Sequence, residues 1–147
     1  MKSKLLRAAT LGALVLATAP VHAADGFAKP KEAVEYREGV FNIMSTHMKR
    51  LGAMAKGDVP FDAAKAQASA QLIATLSTLP WEAFVPGTLG ELKADPIKNA
   101  AEFKQLADKF EVQAKLLPAS AATLDGLRGQ LTTTSSSCKS CHESYRK

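Results

Sequence analysis

From Pro30 to Lys56, the apolar residues Val34, Phe41, Met44, Met48 and Leu51 return at helical spacing, with Lys, Glu and Arg between them. That period fixes one apolar stripe along a long helix. Pro30 suits a first helical turn and Gly57 suits a stop. The pattern then repeats. Asp62 is a plausible N-cap for a second helix running to about Leu79, where Pro80 ends it, and its expected inner face is Ala68, Leu72, Leu76 and Leu79. A third helix is expected over about Asn99–Leu117, with Phe103, Leu106, Phe110 and Leu117 on one stripe and Pro118 beyond it. A fourth is expected from about Ser120 towards Arg146, carrying Leu124, Leu127, Leu131, Cys138 and Tyr145 on one face.

Between the second and third helices, WEAFVPGTLGELKADPIK has no clean period and reads as a long irregular connection. Gly126, Gly129 and the TTTSSS run lower the intrinsic propensity of the fourth helix, so packing must hold it. No alternating strand pattern and no repeat interrupts the series. Four amphipathic helices with mostly short links imply an all-α chain, an antiparallel up-down-up-down four-helix bundle.

The first 23 residues stand apart. Lys2, Lys4 and Arg7 precede an apolar run, Ala8 to Pro20, too short to span a bilayer, and Val21-His22-Ala23 fits a small-x-small cleavage site. Residues 1–23 are therefore expected to be a cleaved signal peptide, and 24–147 a single exported, soluble domain. Removing three positive residues and no acidic one lowers the formal net charge from +5 to +2. No basic run or basic-aromatic patch suggests nucleic acid.

The chemistry is concentrated at the other end. Both cysteines of the chain, Cys138 and Cys141, lie in CKSCH, followed directly by His142. On a helix these positions are i, i+3 and i+4 and share one face within about one turn. Two thiols so spaced can bond the two vinyl groups of one haem while the imidazole meets the iron, and the spacing is the attachment signature of c-type haem. A disulfide here would close only a tiny loop and contribute little. A thioredoxin-like pair needs a strand-loop-helix setting that this chain lacks. Structural zinc needs four ligands, and beyond this cluster residues 24–147 offer one further histidine, His47. One covalent haem c near the C-terminus is the reading that these residues favour.

FAKPKEAVEYREGV at the first helix, RLGAMAKGDVPFDAA at the first turn, LPWEAFVPGT in the connection and CKSCHESYRK at the end, in this order, resemble the cytochrome c′ family. Proteins of that family are standing examples of the up-down-up-down bundle. The resemblance implies thioether attachment at Cys138 and Cys141, His142 as the axial iron ligand, and a propionate contact from Arg37. It places Glu38 where relatives often carry glutamine, a departure, since a second carboxylate repels the first. It places Arg146 on the His142 side of the haem and Phe41 on the opposite, distal side.

Phenylalanine has no lone pair to donate, so the resemblance implies a five-coordinate, high-spin iron under an apolar ring. The function implied is a periplasmic haem protein that binds nitric oxide, and carbon monoxide weakly, and takes part in electron transfer with an unidentified redox partner. The alternative is a low-spin six-coordinate carrier with a methionine ligand. Met44 lies about 60° around the helix from Phe41, and Met48 about 10 Å further along it. His47, about 120° from Phe41, reads as a surface residue, and Trp81 as packing beside the haem edge. With no acid-base side chain expected beside the iron, enzymatic catalysis is not expected. A homodimer through the first two helices is implied as well, with Ala63, Ala64 and Ala70 allowing close approach.

Overall fold

The computed structural model of the chain describes residues 26–90 and 92–147. The expected signal peptide, 1–23, lies outside the described residues. Four helices carry the fold: α1 (Pro30–Lys56), α2 (Ala63–Leu76), α3 (Ala100–Ser120) and α4 (Leu124–Tyr145). Each packs on its neighbours in chain order, and α4 closes the ring against α1. This is the antiparallel up-down-up-down bundle. No helix among the described residues is long and apolar enough to cross a membrane.

Local signals set the helix ends. Pro30 opens α1, and the Glu32 carboxylate reaches back to accept the Ala28 N–H at 3.1 Å. Gly57, at φ +84°, ends it. The Gly57 N–H bonds the Met54 carbonyl and the Asp58 N–H the Ala53 carbonyl, a closure that favours glycine at the left-handed position. Asp62 caps α2 by accepting the Lys65 N–H at 3.0 Å, and Thr123 caps α4 by accepting the Gly126 N–H at 3.2 Å.

The core joins Val40, Met44, Leu51 and Met54 of α1 to Ala66, Ala70 and Ile73 of α2, Phe110, Ala114 and Leu117 of α3, and Leu127 and Leu131 of α4. The expected inner face of α2 is therefore rotated. Ala66, Ser69, Ala70 and Ile73 point inward, while Ala68 is exposed. Small side chains let α2 approach its neighbours closely, so alanines rather than leucines mark its buried stripe.

Three boundaries move. α2 stops at Leu76 rather than Leu79. Pro118 lies inside α3, not beyond it. So close to the helix end its missing N–H costs one bond, and the last turn still closes from the Ala121 N–H to the Leu117 carbonyl at 2.8 Å. α4 begins at Leu124 rather than Ser120, after the turn that Thr123 caps. The low-propensity run in α4 is held by its own hydroxyls. Thr132, Thr133, Thr134 and Ser136 each donate to the carbonyl four residues back, and Thr134 and Ser137 are buried.

The long connection is more ordered than its composition suggests. Pro80–Ala83 forms a short 3-10 helix packed on α1. Leu92 makes an isolated bridge with Arg146. The connection therefore crosses the end of the bundle where α1 begins and α4 finishes.

Candidate functional site

Cys138, Cys141 and His142 occupy the last two turns of α4, so the i, i+3, i+4 relation holds on a real helix. Both thiols are half-buried and free of each other. Burial, reinforced by the neighbouring Cys141, pushes the Cys138 thiol up to about 11, and burial raises Cys141 as well. Thiols so raised lack the lowered pKa of a redox-active pair, whose nucleophile is the thiolate. Among the described residues no three His, Cys, Asp or Glu side chains converge as metal ligands. His142 is exposed, but the desolvation it does meet, and then the charge of Arg146, lower its pKa. The neutral imidazole, the form that ligates iron, is thereby favoured.

The end of α4 is tied down. The Lys93 N–H donates to the Tyr145 carbonyl at 3.0 Å, and Lys93 Nζ to the Glu143 carbonyl at 2.9 Å. The Arg146 N–H donates to the His142 carbonyl at 3.0 Å, and Lys147 Nζ to the Gly90 carbonyl at 3.1 Å. The exposed Arg146 side chain thus leaves a fixed backbone within electrostatic reach of His142.

Across the site, Phe41 is half-buried and packs against the same core cluster as Cys138. Its ring meets Trp81 edge-on at 5.9 Å and Phe84 at 6.5 Å. Trp81 stands at the centre of this group, with Phe103 and Phe110 at 5.8 and 6.3 Å. Phe103 in turn meets Tyr145 of α4 at 5.1 Å. The aromatic cluster therefore runs from α1 to α4, the helix that bears His142. Met44, 4 % exposed, is core filling, and Met48 packs partly buried beside it.

Arg37 is not a solvated helix charge. It is 6 % exposed, with Nη1 donating to the Ala83 carbonyl at 2.9 Å and to Thr88 Oγ1 at 2.8 Å, and Nη2 donating to the Thr88 carbonyl. Burial lowers its pKa and the adjacent Glu38 pulls back, but a guanidinium keeps its proton. Glu38 itself is exposed. Among the described residues no carboxylate forms an ion pair with Arg37, and the buried Trp81 Nε1 has no acceptor. A haem brings two carboxylates, so these residues fit the group that CKSCH implies.

Two expectations need correction. His47 is half-buried, not a surface residue: its Nδ1 is buried without a partner, in a cleft of about 490 Å³ between α1 and α2 that Arg50, Met54, Val59 and Lys65 help line. Packing of α2 beside that face of α1 partly covers it. Ala70 is fully buried inside its own bundle, so it has no surface left for a second copy, whereas Ala64 is exposed. Sequence reasoning also missed Thr88, Phe84 and Phe103 as parts of the site. The dense WEAF aromatic pair was the available signal for Phe84.

Residues 32–146 match the family described as Cytochrome C′. The chain is 41% identical over 124 residues to cytochrome c′ of Alcaligenes xylosoxydans xylosoxydans, covering 82% of this chain and 98% of that relative. A solved structure of the Alcaligenes xylosoxidans protein, a ferrous variant with bound NO, superposes with a TM-score of 0.77 at 40% identity, over 82% of this chain and 98% of that one. A carbon monoxide-bound variant of the same protein gives 0.77 at 41%, over the same shares of 82% and 98%. A family match across nearly all the described residues, a relative aligned over almost its whole length and a shared bundle all agree. The chain belongs to the cytochrome c′ family, four-helix bundles that carry one covalent haem c.

Proposed function

We propose that this chain is a periplasmic haem protein that binds nitric oxide, and carbon monoxide more weakly, at an iron held on one side only, and that it takes part in electron transfer. The observation that carries this reading is Phe41. A ring without a lone pair, backed by Trp81 and Phe84, packs in the same cluster as Cys138. The NO-bound and CO-bound relatives support the choice of ligand.

A bound haem supplies an iron that takes a diatomic gas and changes oxidation state. The residues do the rest. The thiols of Cys138 and Cys141 would hold the haem as thioethers, each by adding its sulfur and its hydrogen across one vinyl group, so attachment would need no oxidant. His142 offers a neutral ring nitrogen to the iron, and Arg146 lies on that side. Arg37 and Trp81 Nε1 are donors suited to the propionates, while Glu38, exposed and next to Arg37, limits how much negative charge is welcome there. Phe41 crowds the distal side. The Phe41 ring itself has no hydrogen-bond donor to offer a gas, which disfavours oxygen more than carbon monoxide or nitric oxide. Displacing the ring costs about 1–3 kcal/mol, the scale of overpacking strain. That weakens carbon monoxide binding roughly ten- to a hundredfold against an open pocket.

Residues 1–23 would direct export and be cleaved, leaving 24–147 as the functional domain. A homodimer through α1 and α2 is supported by the apolar Ile43 of α1 and Val59 of the turn joining them, 47% and 43% exposed. Sedimentation of the purified protein tests that pairing. The deciding experiment for function is an absorption and spin-state measurement of the ferric and ferrous protein, followed by titration with each gas. High-spin iron, tight nitric oxide, weak carbon monoxide and oxidation rather than binding by oxygen are expected. A low-spin spectrum with a methionine-iron band would overturn the reading in favour of the six-coordinate carrier.

A further inference from the structure

We propose that Arg37 is a positioning residue for gas access. It holds the 80–88 segment so that Trp81 and Phe84 back the ring of Phe41, and thereby sets how far that ring yields to an incoming ligand. The inference rests on the gas-binding reading above and names what tunes it.

Arg37 and Phe41 stand four residues apart on α1 and so share one face, a turn from each other. From that face the guanidinium makes three charge-assisted bonds, one to Ala83 and two to Thr88. Its carbon also lies 4.8 Å from the centroid of the Phe84 ring, a cation-π distance. Thr88 Oγ1 donates its own proton to the Val85 carbonyl at 2.7 Å, which leaves its lone pairs aimed at Arg37. The bonded stretch thus brackets Phe84. Trp81 and Phe84 stack on each other at 6.3 Å and 23°, and both present edges to Phe41. A Phe41 ring leaving the iron must move against that stack. The stack cannot retreat unless the 83–88 backbone does, and Arg37 anchors that backbone to the helix carrying Phe41. Ring and backing therefore move as one body, and the cost of opening is set by the clamp as well as by the ring.

The test uses the ferrous holoprotein and leaves both Phe41 and Arg37 in place. Thr88→Val removes the Oγ1 acceptor while keeping the positive charge, Phe84→Leu thins the backing, and Thr88→Ser restores the hydroxyl. Carbon monoxide association should quicken about fivefold to tenfold in Thr88→Val and Phe84→Leu, a change of about 1 kcal/mol in barrier. It should return to the wild-type rate in Thr88→Ser. Amide exchange over 84–88 should speed up in Thr88→Val, and the midpoint potential should stay constant. Faster exchange with an unchanged association rate would overturn the proposal and leave Arg37 a structural tie. A shifted potential with unchanged rates would also overturn it, placing the residue's role at the haem charge. A low-spin wild type that takes no carbon monoxide would overturn the gas-binding reading and this gate together, and its spectrum identifies that outcome before any variant is made.

Discussion

Gly126 and the carbonyl oxygen of Ser120 are in contact that leaves no room for a side chain: a Cβ at 126 would fall inside that oxygen's van der Waals shell and 2.9 Å from Thr123 Oγ1. Glycine inside a helix ordinarily costs about 0.5–1 kcal/mol against alanine. Here the close approach of the α3 end to the first turn of α4 outweighs that cost. Gly126→Ala should destabilise the protein by about 1–3 kcal/mol, the range of overpacking. Gly129, three residues on in the same helix, meets nothing within 4 Å. Gly129→Ala should stabilise by about 0.5–1 kcal/mol. Urea midpoints of the two variants should move in opposite directions. Equal shifts would mean that the contact does not matter.

Attachment is read by extraction. Acid-acetone should leave the haem on the polypeptide, and the mass should equal the chain from about Ala24 plus one haem. Cys138→Ser or Cys141→Ser should leave a single thioether and a lower yield of coloured protein. Free thiols in the purified wild type, with haem lost to the solvent, would contradict both assignments.

At the distal position, Phe41→Met adds a thioether within reach of the iron and should turn the ferrous spectrum low-spin and six-coordinate. Phe41→Ala removes the crowding without adding a ligand. It should remain high-spin and gain roughly ten- to a hundredfold in carbon monoxide affinity. Optical spectra and a carbon monoxide titration distinguish the two.

His47 makes stability depend on pH. Burial first, and then the charge of Arg50, lower its pKa from an ordinary value of 6.5, and Lys65 of α2 lines the same cleft. In the window below 6.5 the unfolded chain binds a proton that the folded chain resists, so stability falls as pH drops through it and is regained as pH rises. His47→Leu removes the group. Thermal melts at pH 7 and pH 5 should show a smaller drop in Tm for the variant than for the wild type.

Pro30, Gly57 and Asp62 announce themselves locally, and α1 and the N-cap of α2 were legible to the residue. The inner face of α2 was not. Alanine on a helix carries almost no hydrophobic contrast, so whether Ala66 and Ala70 or Ala68 face inward is decided by which neighbour comes closest. CKSCH was legible because its chemistry lies within one turn. The Arg37 clamp was not, because its acceptors lie 46 and 51 residues away and two of them are backbone carbonyls, which no residue type advertises. His47 was misread for a related reason: helix angle gives its direction from Phe41, not what α2 lays over it.

The two ends of the bundle are closed by different kinds of contact. Short turns at 57–62 and 121–123 join consecutive helices at one end, with a single long-range bond among the described residues, Arg128 Nε to the Ala55 carbonyl at 2.8 Å, laid over them. The other end depends on pairs distant in sequence, Arg37 with Thr88 and Lys93 with Tyr145, whose loops cost more entropy to close. Cys138, Cys141 and His142 sit at that costlier end. A haem tethered there through the α4 cysteines would crosslink segments that the chain joins least economically by itself. Its binding free energy therefore acts as folding free energy for that half of the molecule, so a chain denied its haem should fray from the Tyr145 end while the turn end keeps its helices.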